Sequence, residues 1–156
     1  MSVEQGVFDA NYIEASSLPF FPVPMNGTEI KLLRVNPISG QFILVQKSQP
    51  DAIINIHKHY GAVIGYTQQG AWGYKEYNWV ARQGDFVFEP SGSTHTLYTP
   101  PGDEETIIFF VIDGALEFLD DNGKTMVMFD WKLALDLYHN YCRANNLEIV
   151  DLTKFE

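Results

Sequence analysis

Gly84-Asp85-Phe86-Val87-Phe88-Glu89-Pro90-Ser91-Gly92-Ser93-Thr94-His95 is the stretch on which the fold turns. Its first half is rich in aromatic and aliphatic residues, as half-buried strands are. Pro90 and Gly92 then demand a tight turn, and His95 opens the next strand-like run, HTLYT. A second signal lies upstream in His57-Lys58-His59. On a strand, residues two apart project from the same face, so both imidazoles point together. Two neutral imidazoles on one face form a chelate for Zn, Fe, Ni, Cu or Mn. His139 falls in a helical pattern and reads as a surface or interface residue.

Short strand-like runs surround these segments: EIKLLRV, QFILVQK, AIINIH, AVIGYTQ, AWGYKEY, DFVFE, HTLYT, ETIIFFVI, ALEFL and KTMVMF. Gly, Pro, Asn and Asp separate them. Asn122-Gly123 predicts a two-residue hairpin turn with positive φ at both positions. Gln69-Gly70 and Gln83-Gly84 are further turn candidates. After Asp130 the period changes: Trp131, Leu135, Tyr138 and Cys142 recur at helical spacing, with Asp130 as N-cap and Asn145-Asn146 as the end. Many short strands and one terminal helix predict an all-β barrel or sandwich with a helical appendage. Residues 1–28, containing Leu18-Pro19-Phe20-Phe21-Pro22-Val23-Pro24, read as an extended Pro-rich arm, and 29–156 as the single domain.

The 156 residues suffice for one domain with its own core. Asp plus Glu number 20 against 10 Lys plus Arg, a formal net charge of −10. Such a surface repels phosphate backbones, which argues against nucleic acid as a partner. No apolar run approaches the ~18 residues that crossing a bilayer requires. MSVEQGVFDANY lacks a basic segment followed by an apolar one, so the expectation is a cytoplasmic protein with no membrane partner. Cys142, the sole cysteine, excludes an internal disulfide and reads as a buried or idle thiol.

The G-x5-P-x-G-x-x-H pattern from Gly84 to His95 resembles the second motif of the cupin superfamily at every fixed position. His57-x-His59, three residues, Val63, six residues and Gly70 resembles the first motif. The one departure is Val63, where most cupins carry a glutamate ligand. The resemblance implies a single RmlC-like cupin, a double-stranded β-helix or jelly-roll barrel, holding a metal on His57, His59 and His95. Three neutral imidazoles would leave the metal its full charge and two or three open positions.

GYTQQGAWGYKEYNWVARQGDFVFEPSGSTHTL is similar to the matching stretch of the three-histidine, carbon–carbon-cleaving dioxygenases that act on 2,4′-dihydroxyacetophenone. ALEFLDDNGKTMVMFDW resembles the end of acetylacetone-cleaving dioxygenases. This resemblance implies Fe(II), with Zn(II) or Ni(II) as possible replacements on purification. It further implies O2 and a small carbonyl substrate, a hydroxy-aryl ketone or a β-dicarbonyl. A non-enzymatic metal-binding cupin, like the zinc-carrying sensor modules of anti-sigma regulators, is the alternative. Cupins of this type commonly self-associate, which implies a homodimer or homotetramer.

Around the metal, Glu89 precedes His95 by six residues. It reads either as a carboxylate orienting a ligand imidazole or as an additional ligand. Among Tyr60, Tyr66, Trp72, Tyr74, Tyr77, Trp79 and Tyr98, most should be core or barrel exterior. Tyr66 and Trp72 are the candidates for contact with substrate, the phenol as a donor to a carbonyl or developing oxyanion. Lys58 should alternate outward, and Asp85 belongs to turn chemistry.

Overall fold

The computed structural model describes residues 10–24 and 26–154. In chain order the strands are β1 (Phe21–Pro22), β2 (Glu29–Val35), β3 (Phe42–Ser48), β4 (Ile53–His59), β5 (Val63–Gln69), β6 (Ala71–Tyr74), β7 (Ala81–Arg82), β8 (Phe86–Glu89), β9 (Thr94–Tyr98), β10 (Thr106–Ile112), β11 (Leu116–Leu119) and β12 (Thr125–Phe129). They form two antiparallel six-stranded sheets, ordered β1-β2-β3-β10-β5-β8 and β12-β11-β4-β9-β6-β7. The core lies between them. Consecutive strands repeatedly fall in different sheets, so the chain winds between two layers as a jelly roll does.

On β10 the side chains alternate as the pleat requires. Thr106, Ile108, Phe110 and Ile112 are buried, while Ile107, Phe109 and Val111 face outward and stay half-buried. Full burial of a side chain such as Ile108 contributes about 1.5–3 kcal/mol relative to exposure. Gly65 on β5 serves the core by lacking a side chain: an added Cβ would lie 3.0 Å from the Phe110 ring. That close approach lets Phe110 and Trp72 meet edge to face, 5.8 Å apart at 72°.

The β11–β12 connection differs from the predicted two-residue turn. Gly123 has φ 77°, but Asn122 is not in the left-handed region. Asp120 explains the difference, because its carboxylate accepts from the backbone N–H of Asn122 and Lys124, both at 2.9 Å. Asp120 N–H also donates to the Lys124 carbonyl, and Gly123 N–H to the Asp120 carbonyl. The result is a three-residue loop whose last position is the left-handed glycine.

Pro22 lies in β1, at the edge of its sheet, where a missing N–H costs no ladder bond. Leu18, Phe21 and Val23 around it are buried. Residues 1–9 of the arm read from sequence, including most of the segment searched for a leader, lie outside the described residues. Helix α1 (Trp131–Ala144) starts at Asp130, whose side chain accepts from Leu133 N–H at 2.9 Å. Ala134, Tyr138 and Cys142 form its buried face, against β1 and β2. His139 is half-buried beside Tyr138. No described helix is long and apolar enough to cross a membrane.

Candidate metal centre

Strand β4 carries the first two histidines, but a regular strand would not place them there. Ile54 points inward opposite Leu97, and continued alternation would turn residues 57 and 59 outward. A register shift between Ile54 and His57 reverses the parity. His57 thereby falls directly opposite His95 of β9, and His57, His59 and His95 are all buried. The Asn55 carbonyl, inside the shifted segment, lies 2.9 Å from His57 Nδ1. A carbonyl only accepts, so Nδ1 carries the proton and Nε2 presents its lone pair. One irregularity both aims His57 and fixes its tautomer.

One ring nitrogen from each of His57, His59 and His95 lies within 4.8 Å of the others. Glu89, at the end of β8, completes the group: its oxygens lie 3.8 Å from His59 Nε2 and 3.6 Å from His95 Nε2. Neither carboxylate oxygen has a hydrogen-bond partner, nor does either ring nitrogen of His59 or His95. Burial holds the His57 imidazole below its ordinary pKa despite the Asn55 bond. Burial, and then the neighbouring imidazoles, bring His59 to about 3. His95 falls to about 4, chiefly by burial. Burial alone pushes Glu89 up to about 8.

So many buried, unpartnered polar atoms facing one point would be costly in a metal-free core. A divalent cation removes the conflict, since it takes imidazole lone pairs and favours the ionised carboxylate. The donor set therefore fits a metal ion. Around it, Tyr74 stacks on His95, with centroids 3.6 Å apart and planes at 17°. Phe118 lies against His57 at 5.1 Å. Glu76 accepts the Thr96 N–H next to His95 through both oxygens, at 3.0 and 2.8 Å, and so anchors that strand.

His57, His59 and Glu89 also line a cavity of about 50 Å³ inside the barrel. Its walls are mostly apolar, with Val63, Phe110, Leu116 and Phe118 among them. Tyr66 and Trp72, the substrate candidates from sequence, do not line it. Tyr66 is 45% exposed on the outer face of β5, because Val63, Gly65 and Thr67 take the inward positions. Trp72 does face inward, but it fills the core, donating from Nε1 to Thr67 Oγ1 at 2.8 Å. Tyr74 and Phe118 lie nearest the histidines, and Tyr77 meets His95 edge-on at 6.0 Å. The spacing of Tyr74, two residues after the inward Trp72, is the one signal that could have marked it.

Two sheets of this topology around a three-histidine cluster define a cupin metal centre. The chain belongs to the ChrR cupin-like domain family, whose model matches residues 9–117. No curated protein gives a significant match. Among solved structures, an RmlC-like cupin protein from Ralstonia eutropha JMP134 is 31% identical, with a TM-score of 0.91 over 95% of this chain and 96% of that one. Acetylacetone dioxygenase from Acinetobacter johnsonii shares the fold at 20% identity and TM-score 0.73, covering 90% and 97% of the two chains. The anti-sigma factor complex of SigE with ChrR from Rhodobacter sphaeroides matches at 16% identity and TM-score 0.54, over 62% of this chain and 50% of that one.

Proposed function

We propose that the protein is a metal-dependent dioxygenase that cleaves a carbon–carbon bond next to a carbonyl in a small hydroxy-aryl ketone or β-dicarbonyl compound. The observation carrying this reading is that His57, His59 and Glu89 line a cavity instead of being sealed by protein on every side. Structural metal sites are closed, whereas catalytic ones keep positions open toward substrate. His57, His59 and His95 would hold the ion, with Fe(II) the best match to oxygen chemistry on imidazole ligands. When bound, such an ion supplies Lewis acidity toward a chelating pair of substrate oxygens and a redox partner for dioxygen. The apolar wall of Val63, Leu116 and Phe118 excludes water from that pair. Tyr74 clamps the His95 ring against rotation. Glu89 stands close enough either to ligate or to orient the bound imidazoles. Fold neighbours that include an acetylacetone dioxygenase support the reading.

The alternative, a metal-binding sensor module, is favoured by the ChrR cupin-like family itself. Oxygen uptake separates the two. Anaerobically Fe(II)-reconstituted protein should consume O2 when offered α-hydroxy aryl ketones or β-diketones, and His95→Ala should abolish both consumption and stoichiometric iron. Absent uptake across that panel, with iron fully bound, would favour the sensor.

A further inference from the structure

β7 and β8 are the last strands of their respective sheets, and no ladder joins them among the described residues. They follow one another in the chain through residues 83–85, so the two sheets meet there in a seam without a β-ladder. A recess of about 160 Å³ lies at this end of the sheets beside the metal centre, between β8 and the β6–β7 segment that carries Tyr74, Tyr77 and Trp79. For scale, a cavity of about 150 Å³ accepts a benzene ring. We propose that this seam recess binds the planar aryl ring of a ligand, leaving the barrel interior to its smaller acyl part.

The lining supports a ring. Tyr77 and Trp79 stack with planes 16° apart and centroids at 5.9 Å. Tyr74 meets both edge-on, at 78° and 80°. Val87 supplies an aliphatic wall, while Glu89 and His95 form the side shared with the metal centre. Aromatic walls in parallel and perpendicular orientations offer an incoming ring both contacts that aromatic pairs prefer. The aryl group would then lie within reach of the ion while its carbonyl end chelates. This inference rests on the catalytic reading above and narrows it toward aryl ketones over ring-free diketones.

The test uses full-length protein loaded with Ni(II) and kept anaerobic, so that ligands bind without oxygen-dependent turnover. Affinities for α-hydroxyacetophenone and for acetylacetone are measured by titration calorimetry in wild type, Val87→Trp and Ser93→Phe. The first variant fills the recess from β8 and the second from its rim. At least a ~tenfold loss for the aryl ketone, with acetylacetone within ~twofold, is expected. Unchanged aryl affinity in both variants, or equal losses for both ligands, would overturn the recess. Phenol binding, followed by saturation-transfer NMR, needs no chelation. If neither carbonyl ligand bound but phenol bound in a Val87-dependent way, the catalytic reading would fall and the recess would stand. If acetylacetone bound while phenol and the aryl ketone did not, the recess would fall and the catalytic reading would stand.

Discussion

Strands β10 and β8 flank β5 in the same sheet, yet one turns its large apolar residues toward the core and the other turns them away. β10 buries Ile108, Phe110 and Ile112. β8 turns Phe86 and Phe88 outward, 62% and 58% exposed, and buries a carboxylate, Glu89, at 2%. Hydrophobic burial alone would give β8 the other register, because a slip of one residue exchanges its faces. The pairing with β5 prevents that slip: Val63 opposes Glu89 and Ile64 opposes Phe88. β10 is therefore ordered by the core, and β8 by the centre it serves. An inverted strand is where function overrides packing.

The largest effect should come from the centre itself. His57→Ala removes one of three imidazoles and should end stoichiometric metal binding, read by metal analysis after gel filtration, while the fold persists by circular dichroism. On the packing side, Ile108→Ala should cost about 2–5 kcal/mol in chemical denaturation, as a large-to-small change at a fully buried site. A much smaller loss would mean that β10 is not the strand that anchors the core.

Glu89→Gln should weaken metal affinity about 10- to 100-fold, measured by competition with a chelator. It also has a signature in the metal-free protein. Glu89 has its folded pKa raised from 4.5 to about 8, so the folded state holds the extra proton and stability falls as pH rises between those values. His59 acts oppositely, from about 3 to 6.5, since the unfolded chain there binds the proton. Between pH 6.5 and 8 only the Glu89 contribution remains of the two. The metal-free wild type should lose on the order of 2 kcal/mol across that window, and Glu89→Gln should flatten the loss. A flat wild-type profile would show that the carboxylate is not confined as described. The smallest effect belongs to the outer face: Phe86→Ser should change monomer stability by no more than about 0.5 kcal/mol. A larger loss would mean that another surface covers that face.

Strand order and site are legible in the sequence to different depths. The unbroken β-branched and aromatic run of ETIIFFVI and the Asp130 cap mark β10 and α1 almost to the residue, because each depends on local composition and capping. β1 and β7, two residues each, carry no period to detect. Spacing singles out the three histidines, but the inward direction of His57 and His59 depends on the shift after Ile54, which the neighbouring isoleucines conceal. Tyr66 escapes a sequence reading for a related reason. On β5 the inward residues are the small ones, Val63, Gly65 and Thr67, so size is a poor guide to side. At Asn122-Gly123 a carboxylate two residues earlier overrides the dipeptide's own turn preference.

The opposition of Val63 and Glu89 has a broader reach. Facing positions on paired strands put their Cβ atoms only about 5 Å apart. A negative charge can thus be delivered to nearly the same point in space from either strand, although the two positions lie 26 residues apart in the chain. Val63 and Glu89 behave as a single address with two possible tenants. Comparing such sites one column at a time records a lost acid in one motif and an unremarked acid in another. Exchanging the two residues together, Val63→Glu with Glu89→Val, is the substitution that honours the geometry, and each half alone leaves either two acids crowded together or none.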